Sequence, residues 1–274
     1  GNVEGIEMAS LFSSLEVKVT VVEQLDHLLD GTDRDLIQPV IDDLSSKGVI
    51  FLTGEKAEIV EIKELQSTVT LNSGKKISAE KVIVTGLREM NIPEGIETTG
   101  VKYTENGIPV NDNLQTNIPS IFAVGDINCI HGMAHRAIQQ GILITEGLEG
   151  KKVIRDYSSL PRAMFTLPEI AGAGKQEWEL IKENTPYKVT KYPLKDTWRG
   201  FSRQINCGFI KLIFTTQNIL IGIWMTGSDA SELLSTSGLL IGQKLNGPMI
   251  MDNLFIHPTL GEGILEACFK TWNL

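Results

Sequence analysis

Hydrophobic and polar positions change their period several times along the chain. Residues 5–14 place Ile6, Ala9, Leu11 and Phe12 at helical spacing. Residues 17–22 are a β-branched run ending in Glu23, which predicts a helix followed by a buried strand. Residues 33–47 put Leu36, Ile37, Val40 and Leu44 on one helical face, with Gly48 as the stop. Pro39 inside that helix predicts a kink or a local loss. Residues 49–52 predict a second strand. The period then shortens: 57–64, 67–71 and 75–77 alternate apolar and polar residues around an Asn72-Ser73-Gly74 turn, the pattern of an antiparallel meander. Residues 81–85 predict another buried strand, reaching Gly86.

Residues 91–117 are rich in Gly and Pro and predict loops. Ile121-Phe122-Ala123-Val124-Gly125-Asp126 predicts a buried strand ending in a Gly-Asp pair, and residues 135–150 a helix. From about residue 157 the texture changes again. Strands are predicted over 205–215 and 219–226, around Thr216-Gln217-Asn218. An amphipathic helix is predicted over 229–245, and a short loop with a last helix over 253–268. Strand–helix alternation early in the chain predicts a parallel α/β layer, and the later order predicts a separate α+β domain. The expected divisions are 1–91, 92–152 and 153–274.

Composition narrows the function. A length of 274 residues suits about two domains. A net charge of −9 argues against a broad nucleic-acid footprint, which needs a basic face. The apolar runs are too short to span a membrane. The three cysteines, Cys129, Cys207 and Cys268, form neither a CxxC pair nor a metal-ligand spacing, so a reducing compartment is expected and a zinc site is not. No signal peptide is visible, and the chain opens at Gly1 without Met.

Three constellations could carry chemistry. Gly1-Asn2-Val3-Glu4-Gly5-Ile6-Glu7 precedes a helix, and the next strand ends in the acid Glu23. A dinucleotide fold needs glycines where strand turns into helix, and an acid there for the ribose hydroxyls. If Gly5 is the third glycine, Asn2 stands where the second is expected. A fingerprint tail and an ordinary glycine-started helix both remain open on these residues. Second, in His257-Pro258-Thr259-Leu260-Gly261-Glu262, Glu262 could orient His257 as a base, or form a capping box with Thr259, or do both. Third, Asp126 at a strand end could hold a ribose or ribityl hydroxyl, with Met133-Ala134-His135 opening the next helix; a strand-ending Asp in a turn is the plain alternative. His131 and His135 lack the neighbours of a metal pair, and His27 reads as a solvated surface residue.

Taken in order, these pieces resemble the pyridine nucleotide-disulfide oxidoreductases, and their lipoamide branch most closely. The resemblance runs through Gly5-Ile6-Glu7, Glu23, Gly86 with Arg88, and residues 116–126. It continues through Met133-Ala134-His135-Arg136-Ala137, Thr166-Leu167-Pro168-Glu169, Gly208-Phe209-Ile210-Lys211-Leu212 and the His257 stretch. It implies partial NAD- and FAD-domain segments of Rossmann type (1–91 and 92–152) followed by an α+β dimerisation domain (153–274). It implies FAD and NAD as cofactors, with Gly5, Glu23, Gly86, Asp126, Met133 and Ala134 as binding positions. Asp126 would take the ribityl side of FAD, Met133 and Ala134 would face the flavin, and Glu23 would favour NAD over NADP. His257, oriented by Glu262, would be the acid/base for redox thiols across a two-fold dimer formed by residues 229–245 and the last helix. The implied substrate is a dithiol, lipoamide, free or tethered to a 2-oxoacid dehydrogenase complex. A cytoplasmic setting is expected, with the mitochondrial matrix as the other option.

The departures from the family pattern are Asn2, the 86–91 stretch, and Gly261 in place of a common serine. The FAD fingerprint and redox cysteine pair are absent, so the chain is expected to be a C-terminal portion, inactive alone. A glutathione-reductase-like dithiol reductase and a non-catalytic dimerisation module are the rival readings.

Overall fold

The computed structural model describes residues 1–64, 66–86, 90–128, 132–151 and 157–272. Arg88, Cys129 and His131, named above, lie outside the described residues.

Helix α1 (Val3–Ser14) leads to strand β1 (Thr20–Glu23), helix α2 (Arg34–Ser46) and strand β2 (Ile50–Thr53). β1 and β2 pair in parallel, with Glu23 opposite Thr53. The helix predicted over 33–47 runs on through Pro39, with Asp33 as its N-cap residue. The meander is β3 (Ala57–Ile62), β4 (Ser67–Leu71) and β5 (Lys76–Ala79), a separate antiparallel sheet with β4 in the middle. Every residue of β3 is exposed, whereas β4 alternates buried and half-buried positions. The strand predicted over 81–85 does not form. The segment is irregular and mostly exposed, because no strand among the described residues pairs with it.

The middle of the chain has little regular structure before helix α3 (Ala134–Leu148). A core of Val101, Ile108 and Ala123, backed by Ile92, Ile96 and Ile121, ties its loops together. The strand predicted over 121–126 is instead a single bridge from Phe122 to Gln115, followed by a 3-10 turn over Gly125–Asn128. Gly125 has φ +76°, which a side chain would strain. That conformation turns the chain before Asp126 can extend a strand.

The last part begins with β6 (Arg162–Met164), β7 (Glu169–Gly174), α4 (Glu177–Lys182), β8 (Tyr187–Pro193) and α5 (Trp198–Ser202). It continues with β9 (Phe209–Thr215), β10 (Leu220–Gly227), α6 (Ala230–Leu233), α7 (Ser237–Gly242), α8 (Gly247–Met251) and α9 (Glu262–Trp272). Its strands form one antiparallel sheet in the order β6-β7-β10-β9-β8. Ile210, Leu212 and Phe214 of β9 and Ile223 and Met225 of β10 fill its core with Ile264, Ala267 and Cys268 of α9.

The single helix predicted over 229–245 is broken into α6 and α7. Ser235, Thr236 and Ser237 fall at the break, hydroxyl residues that compete with the backbone, and Ser235 Oγ donates to Glu232 O. Gly238 lies so close to the Ser159 carbonyl that a Cβ would come within 2.5 Å of it.

Residues 1–85 and 158–274 form one compact unit, and residues 86–157 a second. Within the first unit, Ile6, Leu36, Val40 and Leu44 share a core with Ile170, Leu180, Ile213 and Trp224. Among the described residues no helix is long and apolar enough to cross a membrane.

Candidate functional site

His257 and Glu262 meet. The turn through Pro258 brings Glu262, at the start of α9, back onto the ring: His257 Nδ1 lies 2.7 Å from Glu262 Oε1. The other carboxylate oxygen, Oε2, accepts the Thr259 N–H at 2.7 Å. That is the carboxylate half of a capping box, so Glu262 makes both of the contacts that the sequence left open. The hydroxyl half does not form: Thr259 Oγ1 donates to Ile256 O instead. The Thr259 N–H first, and the His257 ring with it, hold the Glu262 carboxyl below its ordinary range against the opposing effect of burial. The His257 side chain is 59% exposed and Glu262 18% exposed. A neutral ring that donates Nδ1–H to Glu262 leaves Nε2 as an open acceptor toward solvent. The Trp198 ring stands edge-on to His257 at 6.2 Å, and Phe201, Leu254 and Ile256 are exposed apolar side chains on the same segments.

The positions expected to bind a nucleotide, Gly5 and Glu23, lie at the start of the first unit. Glu23 ends β1, and its Oε1 accepts the Leu25 N–H at 2.8 Å. A carboxylate held at this strand end by a backbone N–H suits ribose hydroxyls. Gly5 lies in the first turn of α1, and a Cβ there would sit 2.9 Å from Thr85 Oγ1. Its N–H, however, is taken by Asn2: Asn2 Oδ1 accepts it at 3.0 Å, and Asn2 Nδ2 donates to Glu4 and to Thr85 O. The amide that a pyrophosphate would use is thus capped from within, so Glu23 fits a dinucleotide better than the α1 terminus does.

The positions expected to face a flavin, Asp126, Met133 and Ala134, lie in the second unit. Asp126 is exposed and its carboxylate rests on Gly132, where a Cβ would come within 2.7 Å of Oδ2. Met133 is the N-cap residue of α3 and makes no side-chain cap, Ala134 opens the helix, and the first turn carries no acid. A carboxylate in a glycine cradle beside an uncapped helix start fits one edge of an isoalloxazine–ribityl group. Gly86 begins this unit and is exposed. Behind Asp126, Gln140 accepts from the Gly125 N–H and donates to Tyr157, and Arg136 is fully buried with one nitrogen on Gly125 O.

The two described cysteines are free. Cys268 is on the buried face of α9, and burial pushes its thiol up to about 12. His27, read as a solvated residue, sits between Asp26 and Asp30, whose hydrogen bonds raise its pKa.

The sequence did not single out the buried charge cluster at α2, α4 and β9. Lys211 carries a salt bridge to each of Asp33, Asp35 and Glu177. A lone lysine inside Phe209-Ile210-Lys211-Leu212-Ile213, an otherwise buried strand, was the available signal, since such a charge must be paired. The three carboxylates lie within 4.8 Å of one another, and the cation among them is the Lys211 ammonium.

Residues 1–141 match the family described as pyridine nucleotide-disulphide oxidoreductase, and residues 160–268 match the dimerisation domain of that family. The chain is 35% identical over 278 residues to a dihydrolipoyl dehydrogenase of Chlamydia pneumoniae, covering 100% of this chain and 60% of that protein. It is 33% identical over 276 residues to the dihydrolipoyl dehydrogenase of Staphylococcus aureus, covering 98% and 59%. The chain therefore spans well under two thirds of these relatives. Among solved structures, LpdA from Mycobacterium tuberculosis superposes with a TM-score of 0.93 at 23% identity, over 98% of this chain and 60% of that one. The HOCl-induced flavoprotein disulfide reductase RclA from Escherichia coli gives 0.89 at 19%, over 97% and 62%. These two likenesses concern the fold.

Proposed function

Because the chain belongs to the pyridine nucleotide-disulphide oxidoreductase family, we propose that it supplies the C-terminal part of an NAD-linked, flavin-dependent dithiol oxidoreductase of the dihydrolipoyl dehydrogenase kind. In this reading 1–91 belongs to the NAD domain, 92–152 returns to the FAD domain, and 153–274 forms a two-fold dimer. The setting is cytoplasmic, with lipoamide, free or carried by a 2-oxoacid dehydrogenase complex, as the dithiol. Bound FAD and NAD would supply the two-electron chemistry.

The chain's own residues bind, orient and move one proton. Asp126 would hold a ribityl hydroxyl, with the α3 start at Met133 and Ala134 facing the ring. Glu23 would hold the adenine ribose and repel a 2′-phosphate. His257 Nε2 would take the proton of a substrate thiol, so that a thiolate is available to attack a disulfide. Those redox sulfurs would come from outside this chain's described cysteines, and the exposed Trp198, Phe201, Leu254 and Ile256 around His257 suit coverage by a second subunit. The observation that carries the reading is the His257–Glu262 pair, in which one carboxylate fixes both the ring and the turn that presents it.

The test is His257→Gln in the complete protein. Dihydrolipoamide oxidation should fall by about 10²–10⁴-fold with the yellow flavin still bound. Unchanged turnover would end the assignment.

A further inference from the structure

One fully buried charge takes no part in the acid–base pair. Lys211 lies on β9, flanked by β8 and β10, and is 0% exposed. Its Nζ is 2.7 Å from Asp33, 2.9 Å from Asp35 and 2.5 Å from Glu177. Two groups of β8 complete the cluster: Lys191 reaches Asp35 at 2.5 Å, and the Tyr187 hydroxyl donates to Glu177 at 2.9 Å. Burial alone would discharge Lys211, but hydrogen bonds to Asp33, Glu177 and Asp35 more than reverse this and raise its pKa. Burial likewise pushes Asp35 up, and Lys191 and Lys211 bring it below its ordinary value.

The cluster reaches further through Asp33. Its carboxylate accepts the first N–H groups of α4, from Glu177 at 3.0 Å and Trp178 at 2.9 Å. Its own N–H donates to Gln176 Oε1 at 2.7 Å. Gln176 Nε2 and Trp178 Nε1 both donate to Gly31 O, at 3.4 and 3.1 Å. Residues 31–35 are therefore gripped from α4 and β9. They end the connection that leaves β1 at Glu23 and enters α2.

We propose that Lys211 is a positioning residue for the nucleotide site: its ion cluster pins the 24–33 connection and so fixes Glu23 from the dimerisation half of the unit. The proposal rests on the reading of Glu23 as the ribose-binding acid. An isolated structural salt bridge would stabilise the fold without reaching Glu23. Here the same carboxylate that pairs with Lys211 also holds the connection.

The experiment uses the complete protein with Lys211→Met, read by amide hydrogen exchange and by NADH titration at two pH values. Exchange should quicken over 24–33 and stay unchanged in the β3–β5 meander. The Kd for NADH should rise roughly fivefold at about pH 8. It should return toward the wild-type value at about pH 6, as the crowded carboxylates, left with Lys191 alone as counter-ion, take up a proton; the wild type should change little over that range. Trp178→Phe removes only the indole bond to Gly31 and leaves the cluster whole. It should shift exchange and affinity in the same direction by less, and it carries the test if Lys211→Met does not fold. Faster exchange with unchanged affinity would overturn the proposal alone, as would unchanged exchange in a folded variant or an affinity loss indifferent to pH. No NADH binding by the wild type would overturn the reading of Glu23 and the proposal with it.

Discussion

Glu262 divides its two oxygens between a backbone N–H and a ring nitrogen. A glutamine has one acceptor oxygen, so Glu262→Gln must abandon one partner. If the amide oxygen stays on Thr259, the amide NH2 faces Nδ1 and favours the ring tautomer whose Nε2 is protonated, which cannot take a proton. Turnover in the complete protein should then drop roughly tenfold to hundredfold, with the melting temperature moving by no more than a few degrees. The carboxyl's folded pKa is depressed, so its contribution is present above the unfolded value and is lost as pH falls through the folded one. Acid unfolding curves of wild type and Glu262→Gln should therefore converge at low pH. Asn2 calls for a gain rather than a loss. Asn2→Gly frees the Gly5 N–H, and NADH should bind the complete protein more tightly, by about 1 kcal/mol, the scale of one amide hydrogen bond. Equal affinities in a calorimetric titration would show that the cap does not compete.

At the scale of elements, legibility followed the period of the pattern and failed where pairing or packing decided. Helices α2 and α9 are readable because their apolar residues repeat at helical spacing, and strands β9 and β10 because two apolar runs flank the Thr216-Gln217-Asn218 turn. Residues 81–85 and 121–126 carry the same apolar runs but do not form ladders, since a strand needs a neighbour that its own sequence cannot announce. Residues 157–204 gave no clear period: β6 has three residues and α4 six, too short for one to develop. Within the site, the His257–Glu262 contact was readable from spacing along the chain. The grip of Asp33 on α4 was not, because it joins residues more than 140 positions apart. Packing between elements also sets a prediction. Gly247 at the start of α8 lies against the Trp272 ring of α9, where a Cβ would come within 1.9 Å. Gly247→Ala should cost about 1–3 kcal/mol by forcing the two helices apart, measurable by urea unfolding, whereas Gly141→Ala, with open space around it, should not destabilise.

At the scale of the whole molecule, the apolar contact between α2 and the five-stranded sheet joins the first 85 residues to the last 117 in one unit, with a buried charge cluster at the margin of that contact. A rigid attachment of this kind would let a dimerisation half set the geometry of a nucleotide half without touching the nucleotide.

The fully exposed β3 strand bears on a different property, how concentrated a solution of the chain can become. Among the described residues β3 is an edge of its sheet, and one row of its backbone groups faces no partner strand. It also displays Ile59, Val60 and Ile62, with Ile62 at 82% exposure. An open edge with apolar side chains is a template for pairing with a second copy. Glu58 and Glu61, set beside those residues, keep two like-charged edges apart. Glu58→Gln with Glu61→Gln should thus leave the fold and the melting temperature nearly unchanged, yet bring on aggregation visible as light scattering well below the concentration the wild type tolerates.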